Sequence, residues 1–434
     1  MRGRVLHTGN LFFCARGALA GTLPGVVLAL CMAGCAAPGA SDRGGASAAA
    51  AGNRAAGVEV EIRDSRGWTP LHQAAALGDA EAARQLIARG ADVNARNKDG
   101  ATPLYLAVYD GRTDVARLLI AQGADVNLGL NDGNTPLSFA IYAGQLDLAA
   151  LLIERGARVD AKNGAGATAL YTAAMTGNAD AAALLMRKGA DVRARNEDDE
   201  TPLHVAAQHG HREVAALVIA AGADVRARNK GGDTPLHQAA AAGSRETVEL
   251  LVANGAEIEA TNTPGMTPLL SAVDAARNET AQVLVARKAN VNAASFTIVL
   301  SHSGLHLTLA GTPLMISAIG DFDDVAQTLI AGGARVNARE QGAFTPLHAA
   351  ALCGGAKVAK LLLASGAKVN ARDHSGATPL LYAARGGHPD MVRLLLARGA
   401  RINAQDADRH TPMFHALRMK RDEVVRLLAR HGGK

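Results

Sequence analysis

His209-Gly210-His211-Arg212-Glu213 places two imidazoles and a carboxylate within five residues, a set that could hold a divalent metal. No further ligand pair at zinc-site spacing accompanies it, and no Gly-rich phosphate loop or nucleophile elbow appears anywhere in the chain. Four cysteines occur, Cys14, Cys31, Cys35 and Cys353. Cys353 reads as a small packed thiol, since a reactive one needs an exposed, activated thiolate. These residues give no basis for an enzyme, a cofactor or a small-molecule substrate, and no metal ligand is assigned.

Cys35 points to a different chemistry. Residues 1–17 hold three arginines and no acid, Ala18 to Met32 is apolar, and small residues follow. That is the pattern of a secretory signal, too short for a membrane-spanning helix. Its end, Met32-Ala33-Gly34-Cys35, resembles the lipobox of bacterial lipoproteins, with Met32 in place of the usual leucine. The resemblance implies cleavage after residue 34, a diacylglycerol on Cys35 and, with Ala36 rather than Asp next, sorting to the outer membrane facing the periplasm. With Cys35 lipidated, Cys353 is the one thiol left in the mature chain and no internal disulfide forms. Residues 35–57 are Ala/Gly/Ser-rich and read as a flexible tether. Losing residues 1–34 takes the formal charge from +5 to +2, which gives no reason to expect a nucleic-acid partner.

The remainder, residues 58–434, is periodic. Thr69, Thr102, Thr135, Thr168, Thr201, Thr234, Thr267, Thr312, Thr345, Thr378 and Thr411 begin eleven similar stretches, 33 residues apart except for the 45 between Thr267 and Thr312. Thr supplies a helix N-cap, the following Pro needs no donor in the first turn, and Gly78 ends the first helix. Leu71, Ala74 and Ala75 line one face of that helix, and Ala83, Leu86 and Ile87 recur at helical spacing in a second. The units resemble ankyrin repeats. The resemblance implies an all-α-dominated solenoid of eleven helix-turn-helix units with β-turn fingers, stabilised by stacking because no unit buries its apolar face alone. Several units depart from the pattern: Ala169 replaces Pro, Asp199 and Ala276 stand where glycine is usual, and Gly320 falls one position early. The segment Val58–Ile62 alternates in a way that could cover the first unit.

The resemblance also sorts the candidate residues. His72, His204, His237 and His348 occupy the Thr-Pro-Leu-His position, which implies a structural role tying neighbouring turns. His211 and His388 fall at the common Gly-His position, which weakens the metal reading of His209, His211 and Glu213. Tyr109 and Tyr142 share the seventh position after Thr, and Trp68 is a finger tip; both positions usually face a partner in this family. Trp68, Tyr109 and Tyr142 are therefore expected to form an aromatic ladder for a protein partner. Glu200, in the acidic tip Glu197–Glu200, and the tip residues Met266 and Phe344 are further candidates. Tyr105 and Tyr171 stand at the histidine position and read as structural.

The long interval holds Ser295–Leu309, SFTIVLSHSGLHLTL, which reads as a long β-hairpin insert over residues 294–311. A turn at Ser301-His302-Ser303-Gly304 would pair Leu300 with Leu305, Ile298 with Leu307 and Phe296 with Leu309, all on one face. That apolar face needs a cover: neighbouring repeats, a protein partner, or lipid or a second copy. The reading that follows is a monomeric, non-catalytic, lipid-anchored scaffold that binds a protein. Resemblance to exported bacterial ankyrin proteins offers an immunity role against a toxin or support of a peroxide-defence enzyme. A metal protein or a host-directed effector is the remaining alternative.

Overall fold

The structure is a computed structural model that describes residues 60–294, 296–302, 305–339 and 341–434, with backbone only for the hairpin strands up to residue 310 and for residue 341. The signal (1–34), Cys35 and the tether (35–57) lie outside the described residues. So do the side chains of Phe296, Ile298, Leu300, Leu305, Leu307 and Leu309. Among the described residues there are twenty-two α-helices. They alternate between a first helix that begins at the residue after each periodic Thr, such as Pro70–Leu77 or Pro136–Tyr142, and a second of nine residues, such as Ala80–Ala88 or Leu146–Glu154. First helices pack on first helices and second on second along the chain.

Local chemistry sets each element. Thr69 is extended (φ −87°, ψ 166°) and its hydroxyl accepts from the His72 amide, with Pro70 in the first turn. Gly78, at φ +82°, ends the helix in the left-handed region. The leucine two residues after Thr is buried in unit after unit: Leu71, Leu104, Leu170, Leu203, Leu236 and Leu380 have no exposed surface. Each contributes about 1.5–3 kcal/mol by leaving water. Ala74, Ala75, Ala107, Ala140, Ala173 and their counterparts fill the narrow space between helices.

Apolar burial alone does not fix where one unit sits on the next, and polar side chains do so. Asn127 donates to the Gly156 carbonyl at 3.1 Å and accepts from the Arg158 amide at 2.8 Å, 29 and 31 residues onward. Asn337, Asn370 and Asn403 repeat this clamp. Along the fingers, Arg63 donates to the Arg96 carbonyl (2.6 Å), Arg96 to Gly129 (2.9 Å), Lys162 to Arg195 (2.7 Å) and Arg195 to Arg228 (2.7 Å). A third set reaches backward: Arg112 to the Ala76 carbonyl, Arg277 to Ala241 and His388 to Leu352, each 36 residues apart.

The insert leaves this scheme intact. Asn292 clamps the Gly333 carbonyl and the Arg335 amide at separations of 41 and 43, which are the usual 29 and 31 plus twelve. The extra residues are therefore carried outside the helical stack. Strand Phe296–His302 pairs antiparallel with strand Leu305–Gly311, and the second strand approaches the 3-10 turn Gln341–Ala343 of the next finger. The register corrects the expected pairing by two residues: Leu300 faces Leu307, Ile298 faces Leu309, Phe296 faces Gly311, and Leu305 faces His302. Two residues rather than four lie between the strands, the commonest length for a hairpin connection. A shift of two preserves face parity, so the apolar positions still share one side.

Two further positions can be placed. Cys353 ends the helix Pro346–Cys353 and is half-buried, and the other three cysteines lie outside the described residues. Val60 packs on the first unit, but Ile62 is exposed, so the segment before Asp64 does not cover that unit as an alternating strand would.

Where glycine is missing from the pattern the backbone keeps its conformation. Asp199 (φ +59°), Ala276 (φ +56°), Lys288 (φ +66°), Asp321 (φ +57°) and Lys420 (φ +54°) occupy the left-handed region. An L side chain costs about 1–2 kcal/mol there. Ala276→Gly should therefore raise stability by about 1 kcal/mol, read as a higher urea midpoint. Asn370→Ala, which removes both bonds of the clamp on unit ten, should lower it by roughly 1–3 kcal/mol. A null effect of the second change would show that the apolar stack sets the register alone.

Candidate protein-binding site

The first helices of units two and three bring four aromatic rings together. Tyr109 stacks on Phe139 at 4.7 Å between centroids and 28° between planes. Tyr105 and Tyr142 each lie 6.0 Å from the same ring. Phe139 and Tyr105 are buried, Tyr109 is half-buried, and Tyr142 is 43% exposed. The cluster thus has an inner pair that anchors it and an outer pair that meets solvent. Phe139 is its hub, a residue that the sequence analysis does not single out. Its signal is its spacing: Phe139 is four residues after Thr135, about one turn before the seventh position that Tyr109 and Tyr142 share.

Trp68 has different neighbours. It is half-buried, with the Arg66 guanidinium 4.1 Å over its ring and His72 at 6.3 Å. The cation–π contact holds the indole flat against its own finger. The expected ladder is therefore a Tyr109–Phe139–Tyr142 cluster with Trp68 held separately.

Three tip candidates are corrected. Glu200 is buried and accepts from the Tyr171 hydroxyl (3.2 Å) and the Asn196 side-chain amide (3.1 Å), which makes it part of an internal network. Burial raises its pKa above the ordinary carboxylate range. Met266 is buried and its carbonyl accepts from His237. Phe344 is 2% exposed, stacked on His348 at 5.2 Å and met edge-on by Tyr382 at 5.2 Å. The residue before Thr lies under the neighbouring finger, so its side chain turns inward.

The four buried histidines have one geometry. In each, Nδ1 lies 2.7–2.9 Å from the Thr hydroxyl. The Thr amide donates to the same nitrogen at 3.1–3.2 Å. That leaves Nε2–H to donate to the next unit's carbonyl at Ala101, Asp233, Met266 or Ala377, at 3.0–3.2 Å. A proton on Nδ1 would break the bond from the Thr amide and reverse the one with the hydroxyl, and burial disfavours the charge. His204 and His348 are pushed down to about 4 and His72 and His237 are lowered, with burial the leading cause. His211 Nε2 donates to the Met175 carbonyl at 3.1 Å, another backward tie, and His209 Nδ1 donates to Val205 at 3.0 Å. Each imidazole of the His209/His211 pair thus spends a nitrogen on backbone.

The seventh position after Thr also carries a sequence of its own. It reads Ala76, Tyr109, Tyr142, Met175, Gln208, Ala241, Asp274, Ile319, Leu352, Arg385 and Arg418. Asp274 stands out: its Oδ1 has no hydrogen-bond partner, and burial raises its pKa to about 6.

A family model described as ankyrin repeats (3 copies) matches residues 47–129, 96–163, 160–229, 216–295, 296–373 and 371–434. The chain belongs to the ankyrin repeat family. No curated protein matches it. Ankyrin repeats typically mediate protein–protein binding and are generally non-catalytic, which fits a scaffold role with a protein partner. No described helix of this ankyrin protein is long and apolar enough to cross a membrane.

The histidine geometry sets a pH dependence. With native pKa values below the unfolded value near 6.5, the unfolded chain binds more protons as pH falls from about 6.5 toward 4. Stability should be flat above pH 7 and decline through that window. Asp274 acts in the opposite sense, since its raised pKa favours the native state as pH falls through about 6. Asp274→Asn should raise stability at pH 7.5 by about 1–3 kcal/mol, read as a higher urea midpoint, and steepen the loss between pH 6.5 and 4.5. An unchanged midpoint would mean that Asp274 is solvated in the native state.

Proposed function

We propose that this ankyrin protein is a non-catalytic scaffold of eleven units that binds a protein through its N-terminal aromatic cluster. It is exported, held to the bacterial envelope by a lipid on Cys35, and faces the periplasm as a monomer. The observation that carries the binding role is the Tyr109–Phe139–Tyr142 arrangement, in which a buried ring supports two outer ones. Rigid, pre-positioned aromatic side chains lose little entropy on binding and dominate interface energetics. The lipobox at Met32-Ala33-Gly34-Cys35 supports the anchor, and residues 36–57 give the tether reach. The hairpin insert between units seven and eight is a second contact element in this reading, because its strands stand outside the stack and their apolar positions share a face.

Affinity capture from bacterial envelope extract, read by mass spectrometry, tests the binding role. The intact chain should retain a protein that Tyr109→Ala/Tyr142→Ala loses, since two outer hot-spot rings are worth about 2 kcal/mol or more each. Retention by both baits would remove the aromatic cluster from the interface. A bait with Ser295–Leu309 replaced by a short turn separates the hairpin's contribution. For the anchor, fatty-acid labelling should mark the intact chain and vanish in Cys35→Ser; labelling that survives would place the lipid elsewhere.

A further inference from the structure

Asp406, His410 and His415 bring three metal-capable donor atoms within 4.8 Å of one another in the last unit. Asp406 Oδ2 lies 2.9 Å from His415 Nε2 and 3.9 Å from His410 Nδ1. A tetrahedral ion with bonds of 2.0–2.2 Å would set its donors roughly 3.3–3.6 Å apart, between these two distances. We propose that these three side chains form a binding site for one divalent transition-metal ion of the zinc type. Two imidazoles and one carboxylate suit such an ion better than Mg2+ or Ca2+, which take oxygen donors.

The groups are held for the task. Asp406 Oδ1 accepts from the backbone amides of Asp408 (3.1 Å) and His410 (2.8 Å), so the carboxylate is fixed with Oδ2 turned to the imidazoles. The His410 ring lies flat on Phe414, 3.8 Å away and 2° from parallel. Asp406 and His415 are each 10% exposed and His410 31%, so an ion would enter past His410. Asp406 and His410 belong to the finger, whereas His415 lies in the first helix Pro412–Arg418. An ion would clamp one to the other and keep a fourth coordination position for water or a donor from another molecule.

Unit ten shows what is ordinary here and what is not. Asp373, at the equivalent position, accepts from the Ala377 amide at 2.9 Å and from the Tyr382 hydroxyl at 2.6 Å. A carboxylate oriented by the finger is therefore a feature of both units. In unit eleven Tyr382 is replaced by His415 and Ala377 by His410, which puts nitrogen donors at both positions around the carboxylate. The spacing Asp-x3-His-x4-His lacks the form of a familiar zinc motif, and only the finger-to-helix turn brings it together. The site is independent of the aromatic cluster.

Titration of the chelator-treated full chain with ZnCl2 by calorimetry tests this. One zinc per chain is expected, with a rise in melting temperature, and no comparable heat with MgCl2. Loss of a second-shell partner costs 10–100-fold in affinity, so His410→Ala should weaken binding by more than about 100-fold. His410 is partly exposed, and an unchanged circular dichroism melt without metal would show that the variant folds. His209→Ala should bind as the parent does. Co2+ added in place of zinc should give the visible absorption of a tetrahedral nitrogen-oxygen site, lost in His410→Ala. Absence of saturable zinc binding, or binding that His410→Ala leaves intact, would overturn the proposal and leave a hydrogen-bonded triad.

Discussion

Side chains that reach one unit away and grip backbone hold this chain at its spacing. Asn127, Asn337, Asn370 and Asn403 each engage a carbonyl and an amide of the next unit. The finger cations and the backward-reaching Arg112, His211, Arg277 and His388 add ties at other heights. Alanine-rich faces are smooth and would let helices slide. Directional bonds to fixed backbone groups do not, because a slip of one residue breaks all of them together. Since the partner in each tie is backbone, the neighbouring side chain is free to vary. That explains how units lacking the usual Pro or Gly still stack.

The same scheme accounts for the insert. The chain lengthens between the last tie of one unit, at Asn292, and the N-cap of the next, at Thr312. Twelve residues at that place change the loop-closure entropy by about 1 kcal/mol and leave the clamp across the junction in place. Departures from the ideal pattern gather nearby. Ala276, Lys288, Asp321 and Ala343 all take positive φ, and Asp274 carries a carboxylate oxygen without a partner. Each spends local stability, and the surrounding ties hold the geometry regardless.

Much of the fold was legible because its signals are chemical. Thr before Pro caps a helix, Gly ends one, and Leu71 and its counterparts had to be inside. The fingers were harder to read. Glu200, Met266 and Phe344 looked like exposed tips because sequence gives their position relative to Thr and not what lies over them. Tyr171, Tyr382 and the next finger enclose them. The asparagine clamp shows in the sequence as a recurring Val-Asn or Ile-Asn, but its backbone partners 29 and 31 residues onward do not. The hairpin faces were legible and its register was not, since pairings two residues apart put the same side chains on the same side. The Asp406 cluster could not be read at all without knowing that the finger folds back beside its own helix.

One repeat position changes character along the chain. The seventh residue after Thr is a ring at Tyr109 and Tyr142, is mixed in character from Met175 through Asp274 to Leu352, and is cationic at Arg385 and Arg418. Stacking turns that order in sequence into an order in space. A molecule lying along this row would meet an aromatic end and a cationic end, with mixed ground between. Its two directions are therefore not equivalent, and the row gives the surface a head and a tail.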